Sequence, residues 1–231
     1  MTRKIGILFQ ARSGSTRLPS KILLPFFENK CILELLLQKF RQNGFDKYPI
    51  VVATTDSFQD DQLVQIADKC GVKVFRGSEN DVLQRFIDAA RAHELTDIVR
   101  VCSDNPFLQI NDHLQKLIDR YLISNPDYLS YQMHDGTPVI KSHLGLFCEV
   151  VSLQALEQVV KLTEDNLYHE HVTNFIYSNP TKFNVEWLPA PSEVVMRKDI
   201  RMTLDTPQDF DNLQRLYEAV GEKSLGEIIR F

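Results

Sequence analysis

Gln10-Ala11-Arg12-Ser13-Gly14-Ser15-Thr16-Arg17-Leu18-Pro19-Ser20-Lys21 follows directly on the apolar run Ile5-Gly6-Ile7-Leu8-Phe9. The run is short and uncharged, as expected of a strand buried on both faces of a parallel sheet. Loops at the carboxyl ends of such strands are where open α/β sheets bind ligands. Arg12, Arg17 and Lys21 can there oppose the roughly four negative charges of a nucleoside triphosphate, while Ser15, Thr16 and the backbone around Gly14 donate to phosphate oxygens. A solvated basic turn is the plain alternative. The coincidence of glycine, hydroxyls and a preceding buried strand favours the phosphate reading. The loop has neither the G-x-x-x-x-G-K-S/T pattern of a P-loop nor the G-x-G-x-x-G pattern of a dinucleotide fold. It relies on arginine and lysine, which suits an enzyme that grips a triphosphate and releases pyrophosphate.

Outward from this loop the chain alternates. Ile32-Leu33, Leu35-Leu36-Leu37 and Phe40 recur at helical spacing before Gly44. Ile50–Ala53 predicts a second strand, Leu63–Ala67 a helix, Val72–Phe75 a third strand, Val82–Ala90 a helix starting near Ser78 or Asn80, and Ile98–Val101 a fourth strand delivering Asp104. This regularity indicates βαβ units: an α/β fold with a mostly parallel sheet and helices on both faces. Beyond Asn111 the pattern predicts a helix over Leu114–Tyr121 and a strand at Tyr128–Tyr131. From about 134 to 191 it reads as an inserted excursion within a single domain spanning 1–231. That excursion holds a turn at Asp135-Gly136, a strand near Leu146-Phe147, helices over Leu153–Leu162 and His169–Tyr177, and a strand at Phe183–Trp187. Ile200–Leu204 then returns to the core as an apolar strand run, and Thr206-Pro207-Gln208-Asp209 starts a helix with a hydroxyl cap, a first-turn proline and an acid.

Composition narrows the function. With 231 residues, 43% hydrophobic and 25% charged, the chain falls in the ordinary globular range. A net charge of -5 argues against nucleic acid as a partner, so the cations near the start are a local device. No stretch reaches the roughly 20 apolar residues of a membrane span, and the first apolar run is too short for a signal peptide. Cys31, Cys70, Cys102 and Cys148 are scattered without a C-x-x-C pair, which fits buried thiols in a reducing, cytoplasmic compartment.

The loop, together with Val52-Ala53-Thr54-Thr55, Val74-Phe75-Arg76-Gly77-Ser78, Asp81-Val82-Leu83-Gln84-Arg85, Arg100-Val101, Asp104-Asn105-Pro106, His169-Glu170-His171-Val172-Thr173 and Leu204-Asp205-Thr206-Pro207-Gln208-Asp209, resembles the cytidylyltransferases that make CMP-activated sugars. The likeness is strongest to the spore-coat-polysaccharide (SpsF-like) branch and runs in order along nearly the whole chain. It implies a Rossmann-like nucleotidyltransferase fold, a small inserted subdomain that pairs two subunits into a homodimer, and transfer of CMP from CTP to a sugar acid or related hydroxyl acceptor. It also implies magnesium as cofactor, with metal-binding acids at Asp104 and Asp205. These are 101 residues apart, so spacing alone could not pair them. Each could instead be local, Asp104-Asn105-Pro106 as a turn and Asp205 as part of a helix start.

In this reading Arg12 and Lys21 hold the β- and γ-phosphates and stabilise the departing pyrophosphate, with Arg17 assisting from a direction the sequence does not give and Gln10 and Ala11 beside the nucleotide. The resemblance sets the Ala11 backbone, Arg76, Ser78 and Asp81 around cytosine; residue types alone do not exclude uracil. Arg85 is expected to pair with Asp81 at i,i+4. Asn105, Glu170 and His171 are expected on the acceptor side, although His169-Glu170-His171 has poor spacing for a metal triplet. The branch has arginine where His169 stands, so an anion contact there becomes pH-sensitive or is lost. No carboxylate clamp is legible; Arg201, Lys141 and Arg197 are candidates. Two rivals remain open: a nucleotide-sugar glycosyltransferase, which has little use for three cations around pyrophosphate, and a non-catalytic nucleotide-binding module, which would tolerate loss of either aspartate.

Overall fold

Seven strands form one sheet: β1 (Ile5–Gln10), β2 (Ile50–Thr55), β3 (Lys73–Gly77), β4 (Asp97–Cys102), β5 (Tyr128–Gln132), β6 (Glu149–Ser152) and β7 (Val185–Pro189). The computed structural model describes residues 3–195, 200–221 and 223–230 and orders the strands β3-β2-β1-β4-β6-β5-β7. All neighbours are parallel except the two pairs made by β6. The helices are α1 (Ile32–Gln42), α2 (Asp61–Lys69), α3 (Val82–Ala92), α4 (Asp112–Ser124), α5 (Leu153–Leu162), α6 (Asn166–Glu170), α7 (Asn174–Ser178), α8 (Ser192–Val195), α9 (Pro207–Val220) and α10 (Leu225–Arg230).

Alternation along β1 divides the core. Ile7 and Phe9 pack with Leu36 of α1, Leu63 of α2, Leu117 of α4 and Leu213 of α9. Leu8 packs with Leu83 and Phe86 of α3, Leu156 of α5 and Ile176 of α7. Being covered on both faces is what makes β1, β2 and β4 read as unbroken apolar runs. From β1 the chain moves outward to β2 and β3, then crosses back to place β4 on the other side of β1. The strand order therefore reverses between β1 and β4, and a crevice opens at their carboxyl ends.

Three expectations are corrected. The strand expected near Leu146-Phe147 is β6, three residues later: Glu149 opens it opposite Arg100, and a charged residue gave no strand signal. β6 lies between β4 and β5 in the sheet. The helix expected over His169–Tyr177 is two short ones, α6 and α7, broken at His171–Thr173. Residues 200–204 form no strand; the segment is held by Met202 N–H to the His143 carbonyl at 2.8 Å and Leu204 N–H to the Asp104 carbonyl at 3.1 Å. The start of α9 is as read, with Thr206 and Asp209 capping each other in a reciprocal box.

β1 leads into the cationic loop, and its seating depends on Gly6. A Cβ there would lie 2.4 Å from Cδ1 of the buried Leu95. Gly6→Ala should cost about 1–3 kcal/mol by overpacking. Thermal denaturation should show it as a fall in Tm of roughly 2–12 °C.

Candidate functional site

The crevice is a cleft of about 380 Å³ whose walls include Gln10, Arg12, Gly14, Ser15, Thr16, Arg17, Lys21, Arg100, Cys102, Asp104, Glu170, His171 and Asp205. Lys21 is its hub. The Nζ ammonium lies 2.7 Å from Asp104 Oδ2, 2.5 Å from the Leu204 carbonyl and 3.5 Å from Asp205 Oδ1. The two acids, 101 residues apart in sequence, thus share one cation. Arg17 Nη2 reaches Asp205 Oδ1 at 2.8 Å, and Arg201 binds Asp205 Oδ2 at 2.9 Å while also holding Asp209. Arg12 Nη2 meets Glu170 Oε1 at 3.3 Å across the cleft mouth. Every cation of the loop is therefore provisionally paired with a carboxylate.

The loop's shape comes from Asp60, just before α2. Its Oδ1 accepts from Ser13 N–H (2.8 Å) and the Ser13 hydroxyl (2.5 Å); its Oδ2 accepts from the hydroxyls of Thr54 and Thr55 and from Thr55 N–H. Burial alone would push this carboxyl up, but the bonds from Ser13, Thr55 and Thr54 outweigh it and hold it below the usual carboxylate range. Sequence reading missed Asp60. Its partner Ser13 is 47 residues away, and only the hydroxyl pair Thr54-Thr55 hinted at a buried acceptor.

The expected base-side residues do not line the cleft. Arg76 is engaged by the Thr55 carbonyl, the Ser57 carbonyl and Asp61. The Ser78 hydroxyl accepts from Asp81 N–H. Asp81 caps α3 through Gln84 N–H, and its Oδ2 takes His169 Nδ1 at 2.7 Å, so it does not pair with Arg85. Arg85 is fully buried and bonds the Ser78 carbonyl, while its Nε and Nη2 find no partner among the described residues. Burial first and the neighbouring Arg12 second lower its pKa to about 10, which leaves it charged near neutrality. The Ala11 N–H goes to the Ala53 carbonyl. Asn105 faces a separate small cavity with Thr203 and Ser142, not the cleft. Of the carboxylate-clamp candidates, Arg201 is spent on Asp205 and Asp209, Lys141 lies over the Tyr177 ring, and Arg197 falls outside the described residues. Cys102 lines the cleft, but burial pushes its thiol up to about 11, so it stays protonated.

Oxygen donors alone surround the Lys21 ammonium: two carboxylates and a backbone carbonyl. That is the donor chemistry of a hard divalent cation such as magnesium. A crevice at the strand-order reversal, a cationic loop and paired acids define a nucleotidyltransferase. The cytidylyltransferase family profile matches residues 6–225, and the chain belongs to that family. It is 35% identical over 223 residues to the spore coat polysaccharide biosynthesis protein SpsF of Bacillus subtilis, covering 95% of this chain and 88% of that one. A cytidylyltransferase structure from Leptospira borgpetersenii superposes with a TM-score of 0.85 at 31% identity over 99% of this chain and 93% of the other. The fold is shared with a CMP:2-keto-3-deoxy-manno-octonic acid synthetase complexed with CTP, with a TM-score of 0.67 at 16% identity, covering 94% of this chain and 99% of the other. Among the described residues no helix is long and apolar enough to cross a membrane.

Two predictions follow from these local networks. Asp60→Asn would set an amide against Thr55 N–H, leaving a buried donor unmet at about 1–3 kcal/mol. Calorimetry should register the loss above the carboxyl's depressed pKa, where the native charge contributes. His169 offers both ring nitrogens to acceptors, Asp81 and the Thr163 carbonyl. Burial opposes its charge, yet the bonds to Asp81 and Thr163 raise its pKa above 6.5. Its stabilisation is complete below the unfolded value and lost as pH rises through the raised folded one. The Tm advantage of the native chain over His169→Gln should therefore shrink from pH 6 to 8.5, whereas His169→Arg should show no such decline.

Proposed function

We propose that the protein transfers CMP from CTP to a hydroxyl of a sugar acid or related acceptor, releasing pyrophosphate, as a cytoplasmic step in surface polysaccharide or glycan synthesis. One observation carries this reading: the cationic loop after β1 and two distant acids meet in one cleft through Lys21. The match to a polysaccharide biosynthesis protein supports the pathway, and the four free cysteines fit a reducing compartment.

Binding is an exchange of partners. Within the cleft Arg12, Arg17 and Lys21 rest on Glu170, Asp104 and Asp205. The triphosphate takes these cations and frees the carboxylates. Asp104 and Asp205 would hold magnesium, which when bound neutralises charge on the phosphate chain. Lys21, Arg17 and Arg12 then stabilise the charge accumulating on departing pyrophosphate in a partly dehydrated cleft. Glu170 and His171 line the wall on which the acceptor rests. We extend the reading to a homodimer, for which the exposed Leu162 and Leu167 offer apolar contacts.

Lys21→Ala or Arg12→Ala should lower turnover by two to three orders of magnitude, since losing one charge-stabilising donor costs about 2.7–4 kcal/mol. The assay measures pyrophosphate released from each nucleoside triphosphate with magnesium and a panel of hydroxy-acid acceptors. Undiminished release by Lys21→Ala, or equal use of all four triphosphates, would overturn the assignment.

A further inference from the structure

Gln10 ends β1 on the α3–α5 face and lines the cleft. Its Oε1 accepts from two groups of one guanidinium, Arg100 Nη2 at 2.8 Å and Nε at 3.1 Å. Because arginine can only donate, the orientation of the amide is fixed: its carbonyl faces Arg100, and its Nε2 has no partner among the described residues. Arg100 is in turn fixed by Glu149 through its Nη1. Glu149 is almost completely buried and accepts on its other oxygen from the hydroxyls of Tyr128 and Thr173, the latter at 2.8 Å. Thr173 lies two residues beyond His171, so the same carboxylate anchors the joint that carries Glu170 and His171.

Along the sheet edge the phosphate loop follows β1, and Arg85 and Asp81 lie over the β2–β3 side. The Gln10–Arg100–Glu149 row lies over β1, β4 and β6, on the other side. In-line displacement places the incoming hydroxyl opposite the departing pyrophosphate, so this row borders the acceptor's half of the cleft. Two charge-assisted bonds to the amide carbonyl polarise its N–H bonds, which makes Nε2 a strong donor with no accepting capacity left. Its matching partner is an anionic oxygen.

We propose that Gln10 Nε2 binds a carboxylate of the acceptor, and that Arg100 and Glu149 are positioning residues that hold the amide in its donating orientation. This rests on the cleft being the nucleotide site. The test titrates sodium pyruvate, a minimal 2-keto carboxylate, into the full-length protein loaded with CMP and magnesium. The readout is the side-chain amide resonances of Gln10, identified by their absence in Gln10→Glu. Sodium chloride and the neutral pyruvamide serve as controls.

The expected result is a saturable shift with pyruvate alone, weakened at least tenfold in Glu149→Gln. Should Glu149→Gln not fold, Arg100→Lys keeps the charge beside Glu149 but lacks the fork, and should weaken binding equally. No pyruvate-specific shift, or native affinity in a folded Glu149→Gln or Arg100→Lys, would overturn the proposal. If CMP itself fails to bind, the nucleotide reading falls, and the titration of the unloaded protein judges Gln10 on its own.

Discussion

The Lys21 ammonium is the contact on which the cleft depends. It joins the loop after β1, the end of β4 and the irregular segment before α9, three pieces of chain with no local reason to meet. Only 13% of the Lys21 side chain is exposed, so the pairing works in a medium less screening than bulk water. Around it charges alternate outward, from the Asp205 carboxylate to Arg17 and Arg201 and then to Asp209, which also caps α9. The helix start and the charged centre are thus one structure. The capping box fixes where Asp205 can stand.

A second, drier network lies on the opposite wall. Arg100 and Glu149 face each other across β4 and β6 with almost no exposure, and every oxygen of Glu149 is used. Such a buried pair is weak grounds for stability, because dehydrating two ions offsets most of their attraction. Its use here is geometric, since it decides which end of a neutral amide is turned toward the cleft.

Much of the fold was legible in the chain because its signals are local. Apolar runs covered on both faces announced β1, β2 and β4, and helical spacing announced α1, α3 and α5. Thr206-Pro207-Gln208-Asp209 announced α9 to the residue. What stayed hidden depends on partners far away. Glu149 opens a strand only because Arg100 neutralises it across the ladder, and a charged residue carries no strand signal by itself. Asp60 organises the cationic loop after β1 from 47 residues away. In the site, the loop cations and both aspartates met in one cleft. Arg76, Asp81 and Asn105 did not, because backbone carbonyls, a helix cap and a second cavity claim them.

The partner-matched cleft has a bearing on how the molecule discriminates. Its fixed charges nearly cancel before any ligand arrives, and the chain as a whole is acidic. Little field extends beyond the first few ångströms of solvent, so loose polyanions are not gathered from a distance. On the proposed reading, recognition is deferred to the moment of touch, when a guest must supply both the negative groups that capture the arginines and the positive one that satisfies the vacated aspartates. A nucleotide stripped of its counter-ion meets only half of that requirement.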